Sequence, residues 1–249
     1  MRIAFLTTDD PLYLPDFFDR VLERRSDDTV LVAIVPPLYA RQSRAQALRR
    51  YRRTFGTADT LRLARRVAAA KLRRRSIAAV CERRGIRHGR RRDVNAPEFL
   101  DELRSLETDL VVSVSCPQLF RRPLLELPSR GCLNVHGALL PNYRGILPSF
   151  WMLANGERTA GVTVYFVDER IDAGDVCARR AFEISPDDTL DTFLRRSKRV
   201  GAELLLEALD QIEAQTVRRL PMNLEEGTYY SWPDGEAVAR FRAAGRTIW

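Results

Sequence analysis

Short apolar runs recur along the chain, each closed by Asp, Pro or Gly, with helically spaced apolar residues between them. Residues 3–8 (IAFLTT) predict a strand, and 15–25, with Phe17, Phe18, Val21 and Leu22 on one side, predict a helix. The continuous run 29–35 (TVLVAIV), rich in β-branched residues, predicts a buried strand. Strand, helix and strand within 35 residues point to a parallel sheet. The same patterns predict strands at 109–115, 132–137, 161–167 and 175–184, and a short edge strand within 86–94. Helices are expected at 95–106, 122–127, 148–155 and 188–214; in the last, Leu190, Phe193, Leu204, Leu205 and Leu209 share one side. The class that results is α/β with a mostly parallel sheet.

Two stretches break the alternation. Residues 41–84 read as two helices, 41–54 and 58–84, broken near Gly56. On the second, Leu61, Ala64, Val67, Ala68, Leu72, Ile77 and Val80 form a loose apolar stripe, consistent with a basic helical hairpin lying on the sheet domain. Residues 216–249 are dense in aromatics, with a short strand near 228–231 and a helix over 234–244. They are too few for a core of their own. The expected organisation is one domain of residues 1–215, including the helical insertion, and a short C-terminal extension, 216–249, packed on it.

Charge changes the picture of the insertion. The chain carries a net +8, but residues 41–92 hold 18 Arg and one Lys against only Asp59 and Glu82, a local +17. The remainder has 22 basic and 31 acidic residues. A local field of one sign attracts an anionic partner; the bland alternative is a solvated, Arg-rich helical face. No run of about 18 apolar residues exists, so no membrane span is expected. The N-terminus reads as a first strand and not as a signal peptide. Cys81, Cys116, Cys132 and Cys177 are scattered and read as reduced thiols of a cytoplasmic protein.

Candidate chemistry is sparse, which makes it informative. With two histidines, His88 and His136, and no pair at ligand spacing, no metal site is expected. Glycine-rich dinucleotide and phosphate loops and a G-x-S-x-G elbow are missing, which argues against a nicotinamide enzyme, an NTPase and a serine hydrolase. What stands out is 132–145, CLNVHGALLPNYRG, where Asn134 and His136 lie two apart on a strand and so face the same way. An amide donor beside an imidazole suits a reaction in which an oxyanion develops and a proton moves. Downstream, 161–176 reads GVTVYFVDERIDAGDV, with Asp172 between two strands. The small Ala173 and Gly174 would let a ligand approach the backbone. A carboxylate beside the imidazole would favour its charged, proton-donating form. The bland alternative is a capped strand end and a turn aspartate.

Those two motifs together resemble the folate-dependent formyltransferase family, which includes enzymes acting on methionyl-tRNA, glycinamide ribonucleotide and amino sugars. The family pattern is Asn-x-His, a Ser-Leu-Leu-Pro loop, and an Asp-x-Gly loop about 36 residues after the His; His136 and Asp172 are 36 apart. The likeness spans roughly 1–38 and 86–215. It implies a Rossmann-like formyltransferase fold, 10-formyltetrahydrofolate as co-substrate, and no metal. It also implies a catalytic trio of Asn134, His136 and Asp172. A substrate amine would attack the formyl carbon, Asn134 and His136 would stabilise the oxyanion, and Asp172 would hold the imidazole and support proton transfer. The folate-side wall is implied at Gln118, Leu119 and Phe120, at Ala138, Leu139, Leu140 and Pro141, and at Asp168, Glu169, Arg170 and Ile171. Three departures stand out: Ala138 replaces the usual Ser, Tyr165 stands where many members have a second His, and 41–84 exceeds the usual connection.

The acceptor is less constrained. Gly145, Ile146, Leu147 and Pro148 resemble the loop of the tRNA and sugar enzymes. Only about 35 residues follow the long helix, so the large RNA-gripping domain of the tRNA enzymes is not expected. The leading expectation is a small anionic amine, an amino sugar on a nucleotide carrier, whose pyrophosphate suits a basic surface. Methionyl-tRNA is the alternative acceptor, because the Arg-rich segment could follow a phosphate backbone. Hydrolysis of the same folate is a third reading. A non-catalytic protein of the same fold, gripping RNA or an anionic membrane surface, is a fourth, against which the intact trio argues. A homodimer is compatible with each.

Overall fold

A computed structural model describes residues 1–36 and 44–249 of the chain. Its first half runs β1 (Ile3–Thr8), α1 (Leu14–Arg25), β2 (Thr29–Val35), α2 (Arg44–Phe55), α3 (Thr57–Leu72), α4 (Ile77–Arg83), β3 (His88–Arg90), α5 (Pro97–Ser105) and β4 (Leu110–Val114). The second half runs α6 (Arg122–Leu125), β5 (Cys132–His136), β6 (Arg144–Gly145), α7 (Pro148–Ala154), β7 (Thr159–Phe166), β8 (Val176–Glu183), α8 (Leu190–Glu213), β9 (Tyr229–Tyr230) and α9 (Gly235–Ala243).

Seven strands form one sheet in the order β3-β2-β1-β4-β5-β7-β8. The first five are parallel; β7 runs antiparallel to β5, and β8 to β7. Strand side chains alternate between two buried faces. Phe5, Val112 and Val135 pack with Phe18 of α1 and Leu205 of α8, while Leu6, Leu31 and Val111 pack with Phe99 of α5 and Leu124 of α6. Winding reverses between β1 and β4, and in such sheets a crevice opens beyond the carboxyl ends of the strands. Among the described residues, no helix is long and apolar enough to cross a membrane.

The insertion differs from expectation in three ways. Its second helix is two, α3 and α4, separated where Arg74 adopts a left-handed conformation (φ 51°) and Ser76 caps α4 by accepting from the Ala79 N–H. Its apolar stripe is largely outside: Leu61 and Leu72 are 60% and 88% exposed, and only Ile77 and Val80 of α4 join the sheet core. Ion pairs stand in for that burial, with Arg66 on Asp191 (2.9 Å) and Arg75 on Asp16 (2.6 Å). The third difference is where α2 rests. Phe55 packs between Phe150 and Trp232, and its carbonyl accepts from Arg242, so α2 rests on α7 of the sheet domain and also on residues 232–242 of the C-terminal extension. Residues 41–43 of the expected hairpin lie outside the described residues.

At the β3 edge, Glu102 of α5 accepts from Arg91 (2.6 Å) and Arg87 (2.8 Å), fixing the segment that leads to residues 92–94. The Arg91 hydrogen bonds, against desolvation by burial, hold the Glu102 carboxyl below its usual range. A depressed acid stabilises the fold above its unfolded pKa, and that contribution is lost as pH falls through the folded one. Glu102→Gln should therefore cost about 1–2 kcal/mol in urea unfolding at pH 7, and that cost should shrink as pH falls through the folded pKa of Glu102. A cost independent of pH would contradict the charge-assisted pairing.

Candidate active site

Strand alternation turns Asn134 and His136 of β5 to the same face, away from the Leu133 and Val135 that pack under α8. Antiparallel pairing places Tyr165 of β7 directly opposite Asn134. The loop between β7 and β8 then returns Asp172 to the same point, with its backbone left-handed (φ 49°). Gly174 makes that return feasible: a Cβ there would collide with the Phe166 carbonyl oxygen. The loop's own close packing therefore requires glycine here.

Four polar groups meet here. The Asn134 Nδ2 donates to the Tyr165 hydroxyl (3.0 Å), which donates to Asp172 Oδ1 (2.8 Å). Asp172 Oδ2 accepts from the Gly145 backbone N–H (2.8 Å) and lies 3.7 Å from His136 Nδ1. That last separation is an ion-pair distance, too long for a hydrogen bond. His136 Nε2 is 2.8 Å from the Tyr143 carbonyl. A carbonyl only accepts, so Nε2 carries the proton and Nδ1 faces the carboxylate.

Beside these groups lies a cavity of about 420 Å³, within the range of small-ligand sites. Asn134, Tyr165 and Asp172 lie on its wall, while His136, 6% exposed, sits behind it. Gln118, Leu119 and Phe120 form one side, and Asp168, Glu169, Arg170 and Ile171 form another. The Gln118 side chain is committed to backbone, accepting from Val94 N–H (2.8 Å) and donating to the Arg92 carbonyl (2.7 Å). It braces the wall. Arg170 is likewise tied to Asp168 (2.7 Å). Ala138, Leu139, Leu140 and Pro141 are not on the wall. Ala138 belongs to the core under α7 and α9, Leu140 packs against Tyr165 and Val176, and Leu139 lies over Gly161. They support the site from beneath. Among the described residues, no group of three or more His, Cys, Asp or Glu side chains could hold a metal.

Sequence reasoning missed Tyr165 as a member of the cluster, along with Cys116, Ile146, Val167 and Tyr229 on the wall. A signal existed for Tyr165, a polar-tipped aromatic inside an apolar strand. Burial first, then Asp172, pushes its hydroxyl well above the usual tyrosine range, so it stays protonated. Burial also pushes the Cys116 thiol up to about 11, which leaves it a neutral wall group and not a nucleophile. Tyr229 had no local signal. It arrives because β9 pairs with β6, the Arg144 N–H donating to the Thr228 carbonyl (3.0 Å) and the Ile146 N–H to that of Tyr230 (2.8 Å).

Comparison with known proteins adds a second line of observation. The formyl transferase family model matches residues 1–209. A methionyl-tRNA formyltransferase of Geobacter metallireducens is 33% identical over 183 residues, covering 70% of this chain and 59% of that protein. One from Acetivibrio thermocellus is 39% identical over 136 residues, covering 55% and 44%. The chain spans about half the length of the curated relatives it matches. Among solved structures, glycinamide ribonucleotide transformylase 1 of Symbiobacterium toebii has a TM-score of 0.63 at 19% identity, covering 88% of this chain and 94% of that one. The N-formyltransferase of Helicobacter canadensis, in complex with folinic acid and dTDP-3-aminofucose, has a TM-score of 0.60 at 17% identity, covering 93% and 71%. At such identities the likeness is one of fold.

Gly145 carries a local test. Its φ is 95°, and a Cβ would overlap the Tyr230 carbonyl, so Gly145→Ala should push β6 from β9 and draw the N–H off Asp172. Strain of about 1–3 kcal/mol should lower the melting temperature by a few degrees. An unchanged melting temperature would mean that the β6–β9 pairing is dispensable.

Proposed function

This chain belongs to the formyl transferase family, and on that premise we propose that it moves a formyl group from 10-formyltetrahydrofolate to a primary amine carried on RNA. The observation that carries the reaction is the cluster of Asn134, Tyr165, Asp172 and His136 beside an apolar-walled cavity. Leu119, Phe120, Val167, Ile171 and Tyr229 suit a flat pterin ring, and the polar cluster suits the carbonyl that reacts.

The chain's groups divide the work. As the amine attacks the formyl carbon, the carbonyl electron pair moves to oxygen, and the Asn134 amide donates to that oxyanion. The proton leaving the amine goes to Asp172, whose oxygens each accept one hydrogen bond and retain lone pairs for it. His136, 3.7 Å from Oδ2, backs the carboxylate from behind the cavity without a direct hydrogen bond to it. On collapse the carbonyl re-forms, the bond from carbon to the folate nitrogen breaks, and the stored proton passes to that nitrogen. With Nε2 committed to Tyr143, the imidazole acts through Asp172 instead of donating directly to the oxyanion.

Two observations favour an RNA-borne amine over the amino sugar that led from sequence alone. The relatives at 33–39% identity are methionyl-tRNA formyltransferases, whereas the sugar enzymes share the fold at 16–21% identity. A second cavity, about 440 Å³, runs between α1 and α8 with Arg20, Arg195, Arg196, Lys198 and Arg199 on its walls. Lys198 Nζ donates to Ser115 Oγ (2.8 Å), next to the Cys116 that lines the first cavity, so the basic groove leads to the polar cluster. A phosphate backbone in that groove would present its terminal amine to Asn134.

The test is incubation with 10-formyltetrahydrofolate and a panel of methionyl-tRNA, nucleotide-linked amino sugars and buffer alone. Formylated methionyl-tRNA should form, and Asn134→Ala should slow it about 10²-fold with the fold intact. Product only from the sugars would replace the acceptor, and formate alone would make the protein a hydrolase. No folate product from any of them would remove the enzyme reading.

A further inference from the structure

Tyr165 occupies the centre of the polar cluster, yet the reaction described above assigns it no step. A buried phenol needs some partner for its hydroxyl. Here both partners belong to the reacting set: Asn134 Nδ2 at 3.0 Å and Asp172 Oδ1 at 2.8 Å. The direction of these bonds follows from proton counting. A phenol has one proton, and it goes to Asp172 Oδ1, because a carboxylate oxygen can only accept. The phenol oxygen can then only accept. Asn134 must therefore present its NH2 group, not its carbonyl, to Tyr165. One amide proton is spent on the phenol and the other is left for the cavity, which Asn134 lines.

Resting on the formyl-transfer reading, we infer that Tyr165 is the positioning residue that orients the Asn134 amide, so that an N–H and not the amide oxygen meets the developing oxyanion. Without the hydroxyl, Asn134 has nothing at that position to distinguish its two ends, and a flipped amide would set oxygen against oxygen. The burial that keeps Tyr165 protonated keeps the direction of the chain constant around neutral pH. The ring itself is held by Leu140 and Val176, and β5–β7 pairing fixes it opposite Asn134. A residue of this kind is specific to a chain that has Tyr at this strand position, since a side chain without an acceptor oxygen at that reach cannot sort the amide.

Tyr165→Phe retains the ring and its packing and removes only the hydroxyl. We expect kcat for formyl transfer to fall about 10²-fold, with the amine KM and the tetrahydrofolate Kd changed less than about threefold. In an Asn134→Ala background the same substitution should cost less than about threefold, because the two residues act as one unit. A kcat for Tyr165→Phe within about twofold of wild type would overturn the inference. So would a full loss on top of Asn134→Ala, which would make the two independent. A readout without turnover separates this from the functional reading: hydrogen exchange of the Asn134 side-chain amide by 15N NMR. One proton should be protected in the wild type and released in Tyr165→Phe; equal, rapid exchange of both protons in the wild type would contradict the bond directly. Protection through Tyr165 in a protein that formylates no amine would sink the formyl-transfer reading and leave the orientation standing.

Discussion

The site depends on satisfying one carboxylate. Asp172 leaves only 12% of its side chain exposed, and a carboxylate so far withdrawn from water is costly unless donors face it. Two do, and each is fixed by a different part of the chain. The Tyr165 hydroxyl is set by the register of β5 on β7. The Gly145 N–H is set by β6, which exists only because β9 pairs with it. The Thr228 hydroxyl accepts from the Tyr143 N–H (2.8 Å), and the Tyr143 carbonyl in turn accepts from His136. Residues 228–230 therefore hold both the imidazole and the carboxylate through three residues of one loop. Farther on, the Trp232 indole donates to Thr54 of α2 (2.9 Å), so the basic insertion rests on the same strap.

Much of this was legible in the sequence, and the exceptions have physical reasons. The runs at residues 3–8 and 29–35 and the long C-terminal helix announce themselves because each is buried and locally periodic. Asn134 could be picked out by its place two residues before His136, and Asp172 by its loop between two strands, whereas residues 118–120 and 168–171, which line the cavity, were implied only by the family resemblance. Asn134 and His136 share a face as strand alternation requires. It takes the folded chain to show that His136 lies one layer behind the cavity. The β6–β9 pair joins residues more than eighty positions apart, and nothing in a two-residue strand advertises its partner. The α3 stripe misled because helical spacing shows which residues could be buried together, not whether anything covers them. Gly174 has a structural requirement that the sequence did not show, since a Cβ there would meet the Phe166 carbonyl of its own loop.

Charge followed the same division between what is local and what is not. The insertion and its flank carry a net +17 in sequence, yet much of that charge is spent within the fold. Arg75 pairs with Asp16, Arg83 and Arg84 share Asp19, Arg87 and Arg91 share Glu102, and Arg90 reaches Asp9. Exposed pairs of this kind contribute little stability individually. Their consequence is to leave the outward field to fewer side chains, including Arg73, Arg74 and Arg199, which have no acidic partner within the described residues. Arg65, Lys71, Arg73 and Arg74 keep part of that field on the insertion, and Arg199 places part of it beside the α1–α8 groove.

The whole arrangement stands on the cavity beside Asn134 being the place where the formyl carbonyl lies. A crystal structure of the full chain with 5-formyltetrahydrofolate, which does not transfer its formyl group readily, tests this most directly. The pterin should lie between residues 118–120 and 168–171, with a formyl oxygen within hydrogen-bond distance of Asn134 Nδ2 and Asp172 alongside. A folate bound in the α1–α8 groove, or seated with its formyl group turned away from Asn134, would contradict it.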